Sequence, residues 1–216
     1  LSTPLSTNCA YNGVIMPVCD NRSACPGVCT SPKTGSTTFK TGMSKEMERT
    51  GMPLLYELGC TNVHCARFPW PAWPAPERVV RIVRHPLQRM LSAFLDGKHY
   101  KRHYAGAPFA QNASFAHVVN VVTTLPDIEV SPHMRRQTAM CAVHPSVPQR
   151  VLKLEQYSTW RPWLLKELRW DPDALPAEPL SQDASLERVA EYYTPELRQR
   201  VLRWAAADMK QFGYAP

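Results

Sequence analysis

The residue types best suited to chemistry fall in two short stretches of the chain. The first is Ser31-Pro32-Lys33-Thr34-Gly35-Ser36-Thr37-Thr38, placed between an apolar run and a helical pattern. The opening N–H groups of a helix have no partners within it, and a glycine lets the backbone approach a ligand closely. With hydroxyls and one lysine added, such a stretch makes a cradle for an anion. Gly27, Lys33 and Thr34 fit the spacing of the nucleotide loop G-x-x-x-x-G-K-[ST], but Pro32 stands in place of the second glycine. Proline offers no N–H and fixes its own φ, so the cradle of a nucleotide kinase is compromised here. The plain alternative is a polar helix cap beside a surface lysine.

The second stretch is Val80-Arg81-Ile82-Val83-Arg84-His85-Pro86-Leu87-Gln88-Arg89-Met90-Leu91-Ser92-Ala93-Phe94. Arg84 closes a strand pattern and Ser92 lies on the helix that follows. An arginine and a hydroxyl aimed at one point can share a phosphate, the guanidinium by forked hydrogen bonds. A surface arginine and an ordinary helix serine are the competing description. His64, in Asn62-Val63-His64-Cys65, could take a proton from a hydroxyl near neutral pH, or be structural. Glu46 and Glu48 suit a solvated helix face. His133 could line a cleft or fix its own loop, and Arg135 and Arg136 could bind a carboxylate or sulfate on a substrate. Glu155 suits a structural partner of a buried arginine better than a catalyst. No carboxylate cluster suggests a metal, and the Cys25/Cys29 and Cys60/Cys65 spacings are not the tight C-x-x-C knuckle of structural zinc.

Strands alternating with helices must position these residues. Residues 26–31, 58–65, 78–83 and 150–154 read as strands. Residues 36–49, 87–98, 115–125, 160–168 and 195–212 read as helices, with Gly51 just past the end of the first. That alternation predicts an α/β domain of three layers, with a mainly parallel central sheet flanked by helices. Ligands of such sheets bind beyond the carboxyl ends of the strands, which directs attention to the loops after Ser31, Cys65 and Val83. The domain is expected over residues 26–216, preceded by a cysteine-containing segment, residues 1–25.

The 216-residue chain carries a net charge of +7, unevenly placed. Residues 1–108 hold 13 Lys and Arg against 6 Asp and Glu, whereas residues 109–216 hold 12 against 12. The excess in the first half suits a polyanionic ligand there, or a solvated basic face. No nucleic-acid-binding motif accompanies it. Four of the seven cysteines lie in the first 29 residues, and the odd count leaves at least one thiol unpaired within the chain. A stapled segment of this kind requires an oxidising compartment, and the sequons at Asn21 and Asn112 point the same way. No apolar run reaches membrane-spanning length, so a membrane would be reached only through an anchor outside this sequence. Residues 68–76 (FPWPAWPAP) read as a stiff surface loop, and the six tryptophans suit packing more often than sugar stacking.

Taken in order, these stretches resemble the sulfotransferases that use 3′-phosphoadenosine 5′-phosphosulfate (PAPS), in particular the Golgi carbohydrate sulfotransferases of the sulfotransferase-2 type. Residues 32–38 resemble the family's 5′-phosphosulfate loop and residues 83–94 its 3′-phosphate segment, R-D-P-x-x-R-x-x-S-x-[YF]. Residues 131–137 with Cys141 resemble its H-w-x-P-q…C stretch, residues 151–155 its strand ending in Glu, and Tyr192-Tyr193…Phe212-Gly213-Tyr214 its C-terminal signature. The resemblance spans roughly residues 26–214. It departs at His85, where the family has Asp, and at Met134 and Arg136, where an aromatic and a proline are usual.

The resemblance implies a P-loop-like fold and metal-free transfer of a sulfuryl group from PAPS to a hydroxyl, with a glycan as the expected acceptor, in the Golgi lumen or secretory pathway. It implies Lys33 at the 5′-phosphate and bridging oxygen, with Thr34, Gly35, Ser36, Thr37 and Thr38 as loop donors. Arg84 and Ser92 would hold the 3′-phosphate, and His64 would be the base, with Glu46, Glu48 and Glu57 as rivals because some relatives use a Glu after the phosphate-loop helix. Two other classes compete: a non-catalytic module binding acidic glycans, which leaves the order of Lys33, Arg84 and Ser92 unaccounted for, and a P-loop kinase, which Pro32 disfavours.

Overall fold

The computed structural model describes residues 14–17, 26–51, 78–96, 113–141, 146–180 and 186–215. The expected strand over residues 58–65, His64, Glu57 and the 68–76 loop lie outside them.

The described residues fold as an α/β structure around four strands in the order β1 (Val14–Pro17), β2 (Gly27–Thr30), β3 (Val79–Val83) and β4 (Gln149–Lys153). The last three are parallel, in register Val28↔Val80↔Arg150 and Thr30↔Ile82↔Leu152. β1 adds antiparallel to β2 and was not visible in the sequence: it is four residues long and ends in a proline, which strands accept at an edge. The sheet therefore draws on the segment that composition sets apart.

β3 is buried at all five positions, as the middle strand of a parallel run must be. Its alternate residues serve two environments. Val80 and Ile82, with Val28 and Leu152, join Phe39 and Met43 of α1 (Ser36–Thr50) and Leu164 and Leu168 of α4 (Tyr157–Leu168) in one core. On the opposite face Val79 packs with Cys29 and Cys141, which form a disulfide with Cα atoms 6.2 Å apart. Arg81 crosses that face: its guanidinium donates to the carbonyls of Gln137 (3.1 Å) and Met140 (2.6 Å) and lies 5.2 Å from the Phe212 ring centre. A second apolar cluster joins α2 (Pro86–Leu95), α3 (Phe115–Val122), α5 (Leu186–Tyr192) and α6 (Pro195–Trp204).

Element ends differ from expectation by local chemistry. Gly51 closes α1 in the left-handed conformation, its N–H reaching the carbonyls of Met47 and Glu48, as a C-terminal glycine should. The single helix expected over residues 195–212 is two, α6 and α7 (Ala206–Phe212), parted at the fully buried Ala205. α5 was not anticipated, because charged residues interrupt its short apolar face. Three tryptophans pack: Trp160 donates to the Lys153 carbonyl (2.7 Å), Trp163 lies under Arg150, and Trp170 stacks on Phe39.

Candidate functional site

Two strand–helix junctions, β2 into α1 and β3 into α2, open side by side at the carboxyl edge of the parallel strands. At the first, Thr34 turns the chain back by donating both its N–H (3.3 Å) and its hydroxyl (2.7 Å) to the Ser31 carbonyl. Lys33 then takes φ 68° and Gly35 φ 82°, both in the left-handed region. Glycine meets that demand without strain, and a Cβ at Gly35 would also sit 2.8 Å from Leu154 Cδ1. Lysine does not, and a non-glycine residue held there stores of order 1–3 kcal/mol that the surroundings must offset. Arg84 contributes, since its Nη1 donates to the Lys33 carbonyl at 3.4 Å. Gly35 caps α1 with no side-chain hydrogen bond, so the first N–H groups of the helix face outward.

At the second junction, Arg84 is pinned by a two-way exchange with a buried amide. Its N–H donates to Gln137 Oε1 (2.9 Å), and Gln137 Nε2 donates back to the Arg84 carbonyl (2.8 Å). Gln137 is fixed in turn by Asp208, whose carboxylate accepts from the N–H groups of Gln137 and Thr138, each at 2.8 Å. His85 begins α2: its Nδ1 accepts from the Leu87 N–H (3.3 Å), and Pro86 takes the first helical position, where its missing N–H costs nothing. An imidazole thus serves as the N-cap acceptor of α2.

Arg89 locks the two junctions together. It is 3% exposed and gives its guanidinium to three carbonyls, those of Pro32 (3.0 Å), Pro132 (2.8 Å) and Arg135 (2.5 Å). Burial pulls it down to about 10, opposed by Asp208, so it stays charged at neutral pH. One arginine thereby holds the lysine loop against the segment that carries His133.

One cavity results. Its wall is formed by Pro32, Lys33, Gly35, Ser36, Thr37, Thr38 and Lys40 from the first junction, Arg84, Ser92 and Asp96 from the second, and His133. Eight residues singled out in the sequence for anion or substrate contact meet here: Lys33, Gly35, Ser36, Thr37, Thr38, Arg84, Ser92 and His133. Three others do not line it. Thr34 is fully buried beneath the loop it turns. Arg135 is spent on the carbonyls of Val130 and Ile128, both at 3.2 Å. Arg136 is paired with Asp127, which raises its pKa by a hydrogen-bonded ion pair.

Lys40 and Asp96 were missed. Each stands four residues, one helical turn, beyond a residue that sequence did single out: Ser36 and Ser92. Burial pushes the Lys40 ammonium down to about 8. Asp96 accepts from the Lys33 ammonium in an ion pair.

The rival carboxylates have other tasks. Glu46 is paired with Arg49 and accepts from the Asp171 N–H (3.1 Å), contacts that lower its pKa and tie α1 to residue 171. Glu48 is exposed on α1. Glu155 corrects an expectation: its partner is not a buried arginine but the His85 N–H (2.6 Å) and the Tyr214 hydroxyl (3.1 Å), which brings the C-terminal tail against the start of α2.

Lys33, Lys40 and Arg84 against Asp96 give the described wall a cationic balance, and the helix N-terminus and hydroxyls add neutral donors. This arrangement suits an anion with more than one phosphate-like group. Among the described residues no group of three or more His, Cys, Asp or Glu is placed to hold a metal ion, and no helix is long and apolar enough to cross a membrane. Comparison with protein-family models, with curated proteins and with solved structures found no match to this chain.

Proposed function

We propose that the protein transfers a sulfuryl group from PAPS to a hydroxyl acceptor. The observation that carries this is the convergence of Lys33 with its loop, and of Arg84 with Ser92, on one cavity from segments some fifty residues apart in sequence. A donor with phosphosulfate at one end and a 3′-phosphate at the other needs two such anion sites, one on each junction. The left-handed Gly35, the uncapped start of α1 and the cations fit the first; the pinned Arg84 and the buried Ser92 fit the second. The three-layer P-loop-like assignment belongs to the same proposal, supported by the parallel order of β2, β3 and β4.

In the reaction the S–O bond to the 5′-phosphate breaks, a new S–O bond to the acceptor oxygen forms, and the acceptor proton passes to a base. Lys33 would offset the charge gathering on the departing phosphate, which is where electrostatic help counts most. Loop N–H groups and the hydroxyls of Ser36, Thr37 and Thr38 would fix the transferring end. Arg84 and Ser92, by holding the 3′-phosphate, would separate PAPS from ATP. His64 remains the proposed base, and His133, on the cavity wall, is proposed for acceptor contact. A glycan acceptor and a lumenal location rest on the resemblance, the location also on the Cys29–Cys141 pair, since disulfides persist in oxidising compartments.

Calorimetric titration with the product nucleotide 3′-phosphoadenosine 5′-phosphate (PAP), with ATP as comparator, tests the proposal. PAP should bind more tightly than ATP, and Arg84→Ala should weaken PAP by roughly 10- to 100-fold, the worth of a charge-assisted hydrogen bond. Folded protein that ignores PAP would overturn the assignment in favour of a glycan-binding module.

A further inference from the structure

We propose that Asp96 is a built-in counter-ion of the cavity, whose carboxylate holds the Lys33 ammonium until an anionic ligand takes it over. Asp96 ends α2 one turn beyond Ser92, and its N–H donates to the Ser92 carbonyl at 3.2 Å. Its place is therefore fixed by the same helix that presents Ser92. Lys33 is held at both ends: Arg84 donates to its carbonyl, and Asp96 receives its side chain. The two paired side chains are 17% and 27% exposed, so the pair stands at the wall where a ligand can reach it rather than in the core.

An ion pair in that position works against the binding of an anion. A phosphate entering beside Lys33 meets the Asp96 carboxylate as a like charge, and the Lys33–Asp96 contact must loosen before Lys33 can serve the ligand. In return the empty cavity is spared an unbalanced cluster of cations, and Lys33 is kept within it. Asp96 is thus a positioning residue, acting through Lys33, with a cost in affinity that its removal should disclose. The inference rests on the cavity being the donor site, though its core claim concerns any phosphate-bearing anion.

The test titrates PAP and, separately, inorganic pyrophosphate into the wild type, Asp96→Asn, Asp96→Ser and Asp96→Glu, with thermal melts to verify folding. The two neutral variants should bind pyrophosphate about ten-fold more tightly, equivalent to about 1.4 kcal/mol, while Asp96→Glu stays near the wild type. PAP should follow the same order. Equal or weaker anion binding by the folded neutral variants overturns the counter-ion role, and PAP binding by the wild type would then leave the donor assignment standing. Tighter pyrophosphate binding with no PAP binding by any variant supports the counter-ion and removes the donor assignment. Absence of binding by either anion to every variant overturns both.

Discussion

Lys40 shows what the cavity does to a single residue. Its ammonium is carried on α1 into a half-buried position, and loss of hydration lowers its pKa from 10.5 to about 8. An anion prefers the protonated form, so binding should draw a proton onto Lys40, and affinity should fall as the pH rises through about 8. PAP titrations at pH 7 and pH 9 should differ by several-fold, up to the roughly ten-fold change in the protonated fraction of a group titrating near 8. Near pH 8 the heat should depend on the ionisation enthalpy of the buffer. Lys40→Met should bind more weakly at pH 7 and lose the pH dependence; an unchanged slope would place the titrating group elsewhere. Lys40 also marks a limit of sequence reading at this scale. Lys33, Arg84 and Ser92 could be found because loop chemistry and strand ends point to them. Lys40 lies inside α1 and Asp96 caps the end of α2, places where a charge is ordinarily solvated, and only the facing of the two helices turns them toward one space. Arg135 failed in the opposite sense: a guanidinium that looks available in the sequence is consumed by buried carbonyls.

Among the elements, α2 depends most on one side chain. His85 accepts from the Leu87 N–H through Nδ1, which requires that nitrogen to be unprotonated. Burial lowers its pKa below 6.5; Glu155 opposes that, and Arg198 and Lys153 add to it, while the Tyr214 ring packs edge-on at 5.2 Å. The sign follows from linkage: the unfolded chain binds a proton near pH 6.5 when the folded chain does not, so stability drops as the pH falls below that value. His85→Asn keeps an N-cap acceptor without the titration, and it should flatten the dependence of the melting temperature on pH between 7 and 5. His85→Ala should cost about 1 kcal/mol at pH 7, the typical worth of a cap. A wild-type curve no steeper than that of His85→Asn would remove His85 from this account. Sequence conveyed most of the elements around α2, because apolar runs with clear stops (Gly51, Pro86) need no tertiary help. β1 and α5 escaped it for the converse reason: each is short, β1 held by its antiparallel pairing with β2 and α5 by packing in the apolar cluster around the distant α2.

For the molecule as a whole, the question is how segments remote in sequence stay registered at one cavity. β2 delivers the lysine loop, and residues 131–141 deliver His133 and the Gln137 that pins Arg84. The Cys29–Cys141 bond joins β2 to the end of that segment across 112 positions, on the sheet face where Arg81 also reaches the Gln137 and Met140 carbonyls. Sequence did not disclose this pairing, because seven cysteines leave the connectivity open and the two partners are brought together only by the sheet. A link closing so long a loop removes much freedom from the unfolded chain, and its loss typically costs about 2–5 kcal/mol. Replacing both partners, as Cys29→Ala with Cys141→Ala, leaves every other cysteine untouched. At about 2–4 °C per kcal/mol for a chain of this size, the melting temperature should fall by on the order of 10 °C. PAP affinity should fall with it, because Gln137 and His133 lose a fixed point close in the chain, while Arg89 still holds Pro32 to residues 132 and 135. An affinity loss of more than about ten-fold would make the disulfide the principal tie between the two halves of the cavity, worth over about 1.4 kcal/mol to binding. A lower melting temperature with unchanged affinity would assign that tie to Arg89 instead, and Arg89→Lys, which cannot reach three carbonyls at once, should then abolish binding in a folded protein.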